Sequence, residues 1–148
     1  MIARRNILRS AGPLALAAFG GLGLAACREE PMHQTQNISF VGRASMRERA
    51  EQIRRAATEL GWATRELRVG GFRGNAAEGQ NRVFTEGLIE ATSVARGHNI
   101  VVNISYDSRR FTLRYISSVG LNYDGVRIHT YYNGQAEALE RAIMRASV

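Results

Sequence analysis

This sequence predicts an α+β fold: a two-layer domain in which an antiparallel sheet of four to five strands is covered on one face by two helices. Three observations carry that expectation. Residues 44–60 and the stretch after Asn133 repeat apolar side chains three and four apart, the spacing of a helix that buries one face. Residues 98–115 instead alternate with the period of two that a half-buried strand requires. Short turn signals, Arg96-Gly97 and Asp107-Ser108-Arg109-Arg110, separate the strand-like runs, so they read as a meander with one greasy face.

Taken in order, Ile38 to Val41 is a brief apolar run that fits a first strand. Met46, Ala50, Ile53, Ala57 and Leu60 then form one face of a helix, with Arg47, Glu48, Glu51, Arg54 and Arg55 around the rest. Ser45 and Glu48 have the spacing of a capping box, and Gly61 stands where a glycine ends a helix. Trp62 to Val69 reads as a strand. Gly70 to Asn81 holds four glycines in twelve residues and reads as a loop; its spacing fits neither the dinucleotide fingerprint nor a phosphate-binding loop. Gly87 to Ala95 is the next strand. In the following one, Ile100, Val102, Ile104 and Tyr106 share a face, and Phe111, Leu113 and Tyr115 face inward after it. Ala138, Leu139, Ala142, Ile143 and Ala146 make the stripe of a closing helix that Asn133 is placed to cap. The residues expected to be buried together are Ile53, Leu60, Ile100, Val102, Ile104, Leu113, Leu139 and Ile143.

The chain of 148 residues suits one hydrophobic core. Its net charge is +7, of which Arg4, Arg5 and Arg9 carry three, leaving a mildly basic +4 for the remainder. All twenty basic residues are arginine, which suits either a GC-rich coding sequence or a surface built for bidentate phosphate and carboxylate contacts. The arginines are scattered, and a single cysteine allows no internal disulfide.

The first 27 residues read as an export address. Arg4, Arg5 and Arg9 form a positive start, and Ala11 to Gly23 is moderately apolar, too short and glycine-rich for a membrane span. Leu24-Ala25-Ala26-Cys27 closes it. This tetrapeptide resembles the lipobox of bacterial lipoproteins. The resemblance implies cleavage after Ala26, acyl chains such as palmitate on Cys27, and stable anchoring by two or more chains. Arg4-Arg5-Asn6-Ile7-Leu8-Arg9 is similar to the twin-arginine export motif, though Ala3 and Ile7 depart from its usual residues, and ordinary secretory export fits as well. Arg28, rather than an aspartate, follows the cysteine, which by analogy with enteric sorting favours the outer over the inner membrane. The expected organisation is residues 1–26 as signal peptide, 27–36 as lipidated cysteine and polar tether, and 37–148 as one α+β domain facing the periplasm.

Chemistry is sparse. His33, His98 and His129 stand apart from one another at no ligand spacing, so neither a metal nor another cofactor is expected. There is no Gly-x-Ser-x-Gly. Export argues against nucleic acid as a partner, although tyrosines interleave with Arg110, Arg114 and Arg127. The stretch from Tyr106 to Asn133 resembles the tails of small proteobacterial lipoproteins, a resemblance that implies no particular function. Within it, Tyr115, Ser118, Asn122, Tyr123, His129, Tyr132 and Asn133 combine rings with small polar groups in a connection longer than a hairpin needs. They form the expected binding surface for an envelope protein or a glycan. The function expected is therefore non-enzymatic: a membrane-anchored binding or scaffolding module. The alternatives are a small envelope hydrolase pairing His129 with Asp107 or Asp124, and an accessory factor for outer-membrane assembly.

Overall fold

The structure, a computed structural model, describes residues 29–73 and 83–148. Cys27, the leader and most of the glycine-rich segment lie outside them. In chain order the elements are β1 (Glu29–Pro31), β2 (Ile38–Ser39), α1 (Met46–Glu59), β3 (Ala63–Arg68), β4 (Gly71–Arg73), β5 (Val83–Thr85), β6 (Gly87–Ala95), β7 (His98–Tyr106), β8 (Arg110–Val119), β9 (Arg127–His129) and α2 (Thr130–Ala146). The α+β class is as expected: a five-stranded antiparallel sheet in the order β2-β8-β7-β6-β3, with both helices on one face.

Alternation explains the layering. Ile89, Ala91 and Ser93 of β6, Ile100, Val102, Ile104 and Tyr106 of β7, and Phe111 and Leu113 of β8 all point to the helices and are buried. Helix α1 contributes Ala50, Ile53, Ala56 and Ala57, and α2 contributes Tyr132, Ala136, Leu139, Ala142 and Ile143. Small residues on α1 let it lie close to α2. Seven of the eight residues expected in the core are there; Leu60 is 36% exposed. It is the C-cap of α1, and with Gly61 at φ +77° the chain turns away before Leu60 reaches the sheet. Trp62, just beyond, fills that position and is buried.

The capping box of α1 forms as expected: the Ser45 hydroxyl accepts from the Glu48 amide, and the Glu48 carboxylate accepts from the Ser45 amide. The cap of α2 does not. His129 holds the N-cap, its Nδ1 accepting the Tyr131 N–H at 3.1 Å, and Asn133 lies a turn inside the helix, buried. The helix begins earlier than its apolar stripe because the strand β9 runs directly into it.

Residues 29–36, read from the sequence as a tether, lie against the domain. β1 pairs antiparallel with β9, placing Glu29 opposite His129 and Pro31 opposite Arg127. Beyond it, Met32 N–H donates to the Val126 carbonyl, and the His33 N–H donates to the Asn133 side chain. Polar composition hid this, because the segment is held by hydrogen bonds rather than by apolar burial. Inside the stretch read as a loop, Gly71–Arg73 pairs with Val83–Thr85 as a small antiparallel ladder.

Candidate functional site

The seven residues expected to form one binding surface divide into three groups. The first is aromatic. Tyr115, projecting from β8 to the helix side, meets Tyr123 with ring centroids 4.7 Å apart and the edge of Tyr132 at 5.3 Å. The Tyr115 hydroxyl hydrogen-bonds Ser118 Oγ at 3.0 Å, closing the cluster from the same strand. That bond is possible because a bulge at Val101/Val102 shifts the register, so Tyr115 sits opposite Val102 and Ser118 opposite Ile100, all on the inner face. Tyr132 is wholly buried, and its hydroxyl has no partner among the described residues. Burial first, then the neighbouring Tyr115 and Tyr123, push its ionisation far above that of a free phenol.

The second group surrounds His129. Its ring stacks on His98 at 6.2 Å, and Tyr131 leans on His98 at 5.1 Å. With Nδ1 occupied by the Tyr131 amide, His129 works as a helix cap. It is not joined to either acid of the hydrolase alternative. Asp107 accepts the Arg109 and Arg110 amides in the β7–β8 turn, at the far end of β7 from His98. Asp124 accepts the Val126 and Arg127 amides, and those bonds hold its carboxyl below the usual aspartate range. Among the described residues no three His, Cys, Asp or Glu side chains converge as a metal site would require.

Asn133 and Asn122 form no part of either cluster. Asn133 donates to the Pro31 carbonyl at 3.0 Å and accepts from the His33 amide at 2.8 Å, tying the first strand to α2. Asn122 is exposed at φ +48°, a left-handed turn position that asparagine tolerates well.

Beside the aromatic cluster the structure forms an open groove of about 610 Å³ along the free edge of β8. Tyr115 and Tyr123 stand on one side, Thr112 and Arg114 on the strand itself, and Gln34, Gln36 and Asn37 opposite. The groove exists because β2 pairs with β8 only at Ile38 and Ser39. Further along, Thr35 takes the strand's place: its hydroxyl accepts from Leu113 N–H at 2.9 Å and donates to Leu113 C=O at 3.3 Å. The chain therefore stands off from the edge and leaves a trough. Sequence reasoning found Tyr115 and Tyr123 but missed its other wall, since nothing in Gln34-Thr35-Gln36-Asn37 signals that it lies 75 to 80 residues away in sequence from its neighbours. Tyr123, 37% exposed, is the most accessible ring of the cluster, with its hydroxyl donating to Gly125 C=O.

No protein-family model, curated protein or solved structure matches this chain.

Proposed function

We propose that this chain is a non-enzymatic, lipid-anchored domain of the bacterial cell envelope that holds a glycan segment in the groove beside β8. The address rests on Leu24-Ala25-Ala26-Cys27 and the basic, then apolar, residues before it. The binding role rests on one observation: Tyr115 and Tyr123 meet at 4.7 Å on a groove whose other walls carry amides, hydroxyls and one guanidinium, with Met32 and Leu113 among them. A sugar ring presents C–H groups on its faces and hydroxyls on its rim. Tyrosine rings match the first, while Gln34, Gln36, Asn37 and Thr112 match the second. Arg114 adds a cation for an acidic substituent. His129, Asp107 and Asp124 each serve a cap or a turn, which favours holding over turnover.

Two measurements test the two halves. Acyl labelling of the wild-type chain should be lost in Cys27→Ser, and unchanged labelling would sink the anchor. Titration with soluble cell-wall glycan fragments should shift the amide resonances of Gln34, Asn37 and Arg114, and Tyr123→Ala should weaken binding at unchanged melting temperature. Fragments that shift no groove resonance would exclude a glycan there.

A further inference from the structure

The first described residue, Glu29, lies at one end of the domain, and that end has a distinctive surface. Glu29 lies opposite His129, whose ring stacks on His98, the first residue of β7. His129 N–H also donates to Leu121 C=O, and Gly120 approaches His98. Residue 29 therefore sits at the base made by the Arg96-Gly97 turn, the end of β8 and the first turn of α2. Cys27 is two residues earlier, a reach of about 7 Å. The opposite end, with Val41, the Asp107 turn and Ser147, is one length of β7 away, roughly 26 Å.

On the sheet face turned away from the helices, Val94, Asn99 and Val119 are cross-strand neighbours in the row nearest the base. Val94 is 74% and Val119 63% exposed, and Ile116, the residue bulged out of β8, is 45% exposed. Higher on the same face the row is polar, Arg65, Glu90, Asn103 and Arg114 in sequence across four strands, with Arg65 and Glu90 paired at 2.9 Å. Arg96 stands exposed at the tip of the turn, between the two valine-bearing strand ends and the base. On the helix side the base also carries Glu29 and Glu30 of β1 and the Arg127 guanidinium, which donates to the Glu29 carbonyl, so its charges are mixed and the apolar contact is confined to the sheet face.

We infer that this base is a membrane-contact surface. With the anchor at Cys27, the β6–β7 turn lies at the level of the lipid headgroups, Val94 and Val119 reach the acyl boundary, and Arg96 meets lipid phosphate. The inference rests on the lipid-anchor reading above and adds an orientation to it. β7 stands up from the bilayer, and the groove beside β8 opens sideways above it.

The test supplies the anchor by construction. A chain of residues 27–148, which keeps every described element, is coupled through its single thiol to a maleimide lipid in phosphatidylethanolamine–phosphatidylglycerol vesicles. Val94→Trp, Val119→Trp and, at the far end, Val41→Trp are compared with the wild-type chain, whose buried Trp62 gives the baseline. Blue-shifted emission quenched by brominated acyl chains is expected for Val94→Trp and Val119→Trp and not for Val41→Trp. Absence of quenching at 94 and 119, or equal quenching at all three, overturns the orientation. Because the coupling is chemical, that result is independent of whether cells acylate Cys27, which the labelling experiment reads separately.

Discussion

The Asn133 side-chain oxygen accepts the His33 backbone N–H at 2.8 Å, joining the first described strand to the last helix across a hundred residues of chain. The same carboxamide donates to Pro31 C=O, so one buried side chain satisfies two backbone groups where β1 ends. His33 reinforces the contact through Nε2, 3.0 Å from Glu140 on α2.

Replacing Asn133 with Leu keeps the volume and removes both bonds, leaving a part-buried N–H and C=O unpaired. A loss of about 1–3 kcal/mol is expected in urea denaturation. Amide exchange at Met32, His33 and Gln34 should accelerate more than exchange in β7. Equal acceleration throughout would mean that Asn133 supports the whole core rather than this segment.

Arg49 is the second prediction. It is fully buried on α1, its guanidinium donating to the carbonyls of Gly42, Ser108 and Ser147 and to the Gln52 side chain, and lying 4.2 Å over the Phe40 ring. Its charge is matched by carbonyl dipoles, including one at the C-terminus of α2, and burial lowers its affinity for the proton. Arg49→Met preserves the stem and removes the guanidinium's bonds to those carbonyls, of which Ser147 C=O keeps the Gly42 N–H. The expected loss is on the order of 3 kcal/mol, whereas Arg55→Ala, exposed on the same helix, should change stability by less than about 0.5 kcal/mol.

Alkaline stability gives the third. Burial, and then the charge and hydrogen bond of Glu66, push Tyr106 up to about 12 from the ordinary 10.0; Tyr132 is raised further. Between those two values the folded chain holds a proton on Tyr106 that the unfolded chain has released. The stabilisation is therefore complete below about pH 10 and is lost as pH rises through about 12. Denaturation midpoints should fall across that window, and Tyr106→Phe should flatten the fall. A midpoint that rises there would show that the phenol is not held neutral by the fold.

The Tyr106 ring also lies over its cross-strand partner Gly87, where an added Cβ would clash with the ring. Period-two alternation places Tyr106 inward. It does not say that the ring needs a glycine opposite, because that depends on which residue the partner strand brings into register.

What the sequence determined by itself was whatever depends on near neighbours. The α1 capping box, the stripe of Ile53 and Ala57, and the alternation of Ile100 to Tyr106 are fixed by spacing within one or two turns or a single strand. So was the antiparallel meander, read from successive local runs. Tertiary structure decided the rest. It turned Leu60 outward and Trp62 in, made His129 the cap that Asn133 was expected to be, and laid residues 29–36 along the domain instead of leaving them as a tether. It separated Asn122, His129 and Asn133 from the tyrosines while setting Gln34, Gln36 and Asn37 across from them. The physical reason is common to all of these. Each rests on single hydrogen bonds or ring contacts between segments far apart in sequence, such as Thr35 with Leu113 or Asn133 with His33. Such contacts leave no periodicity behind, whereas burial of a helix or strand face repeats and can be read.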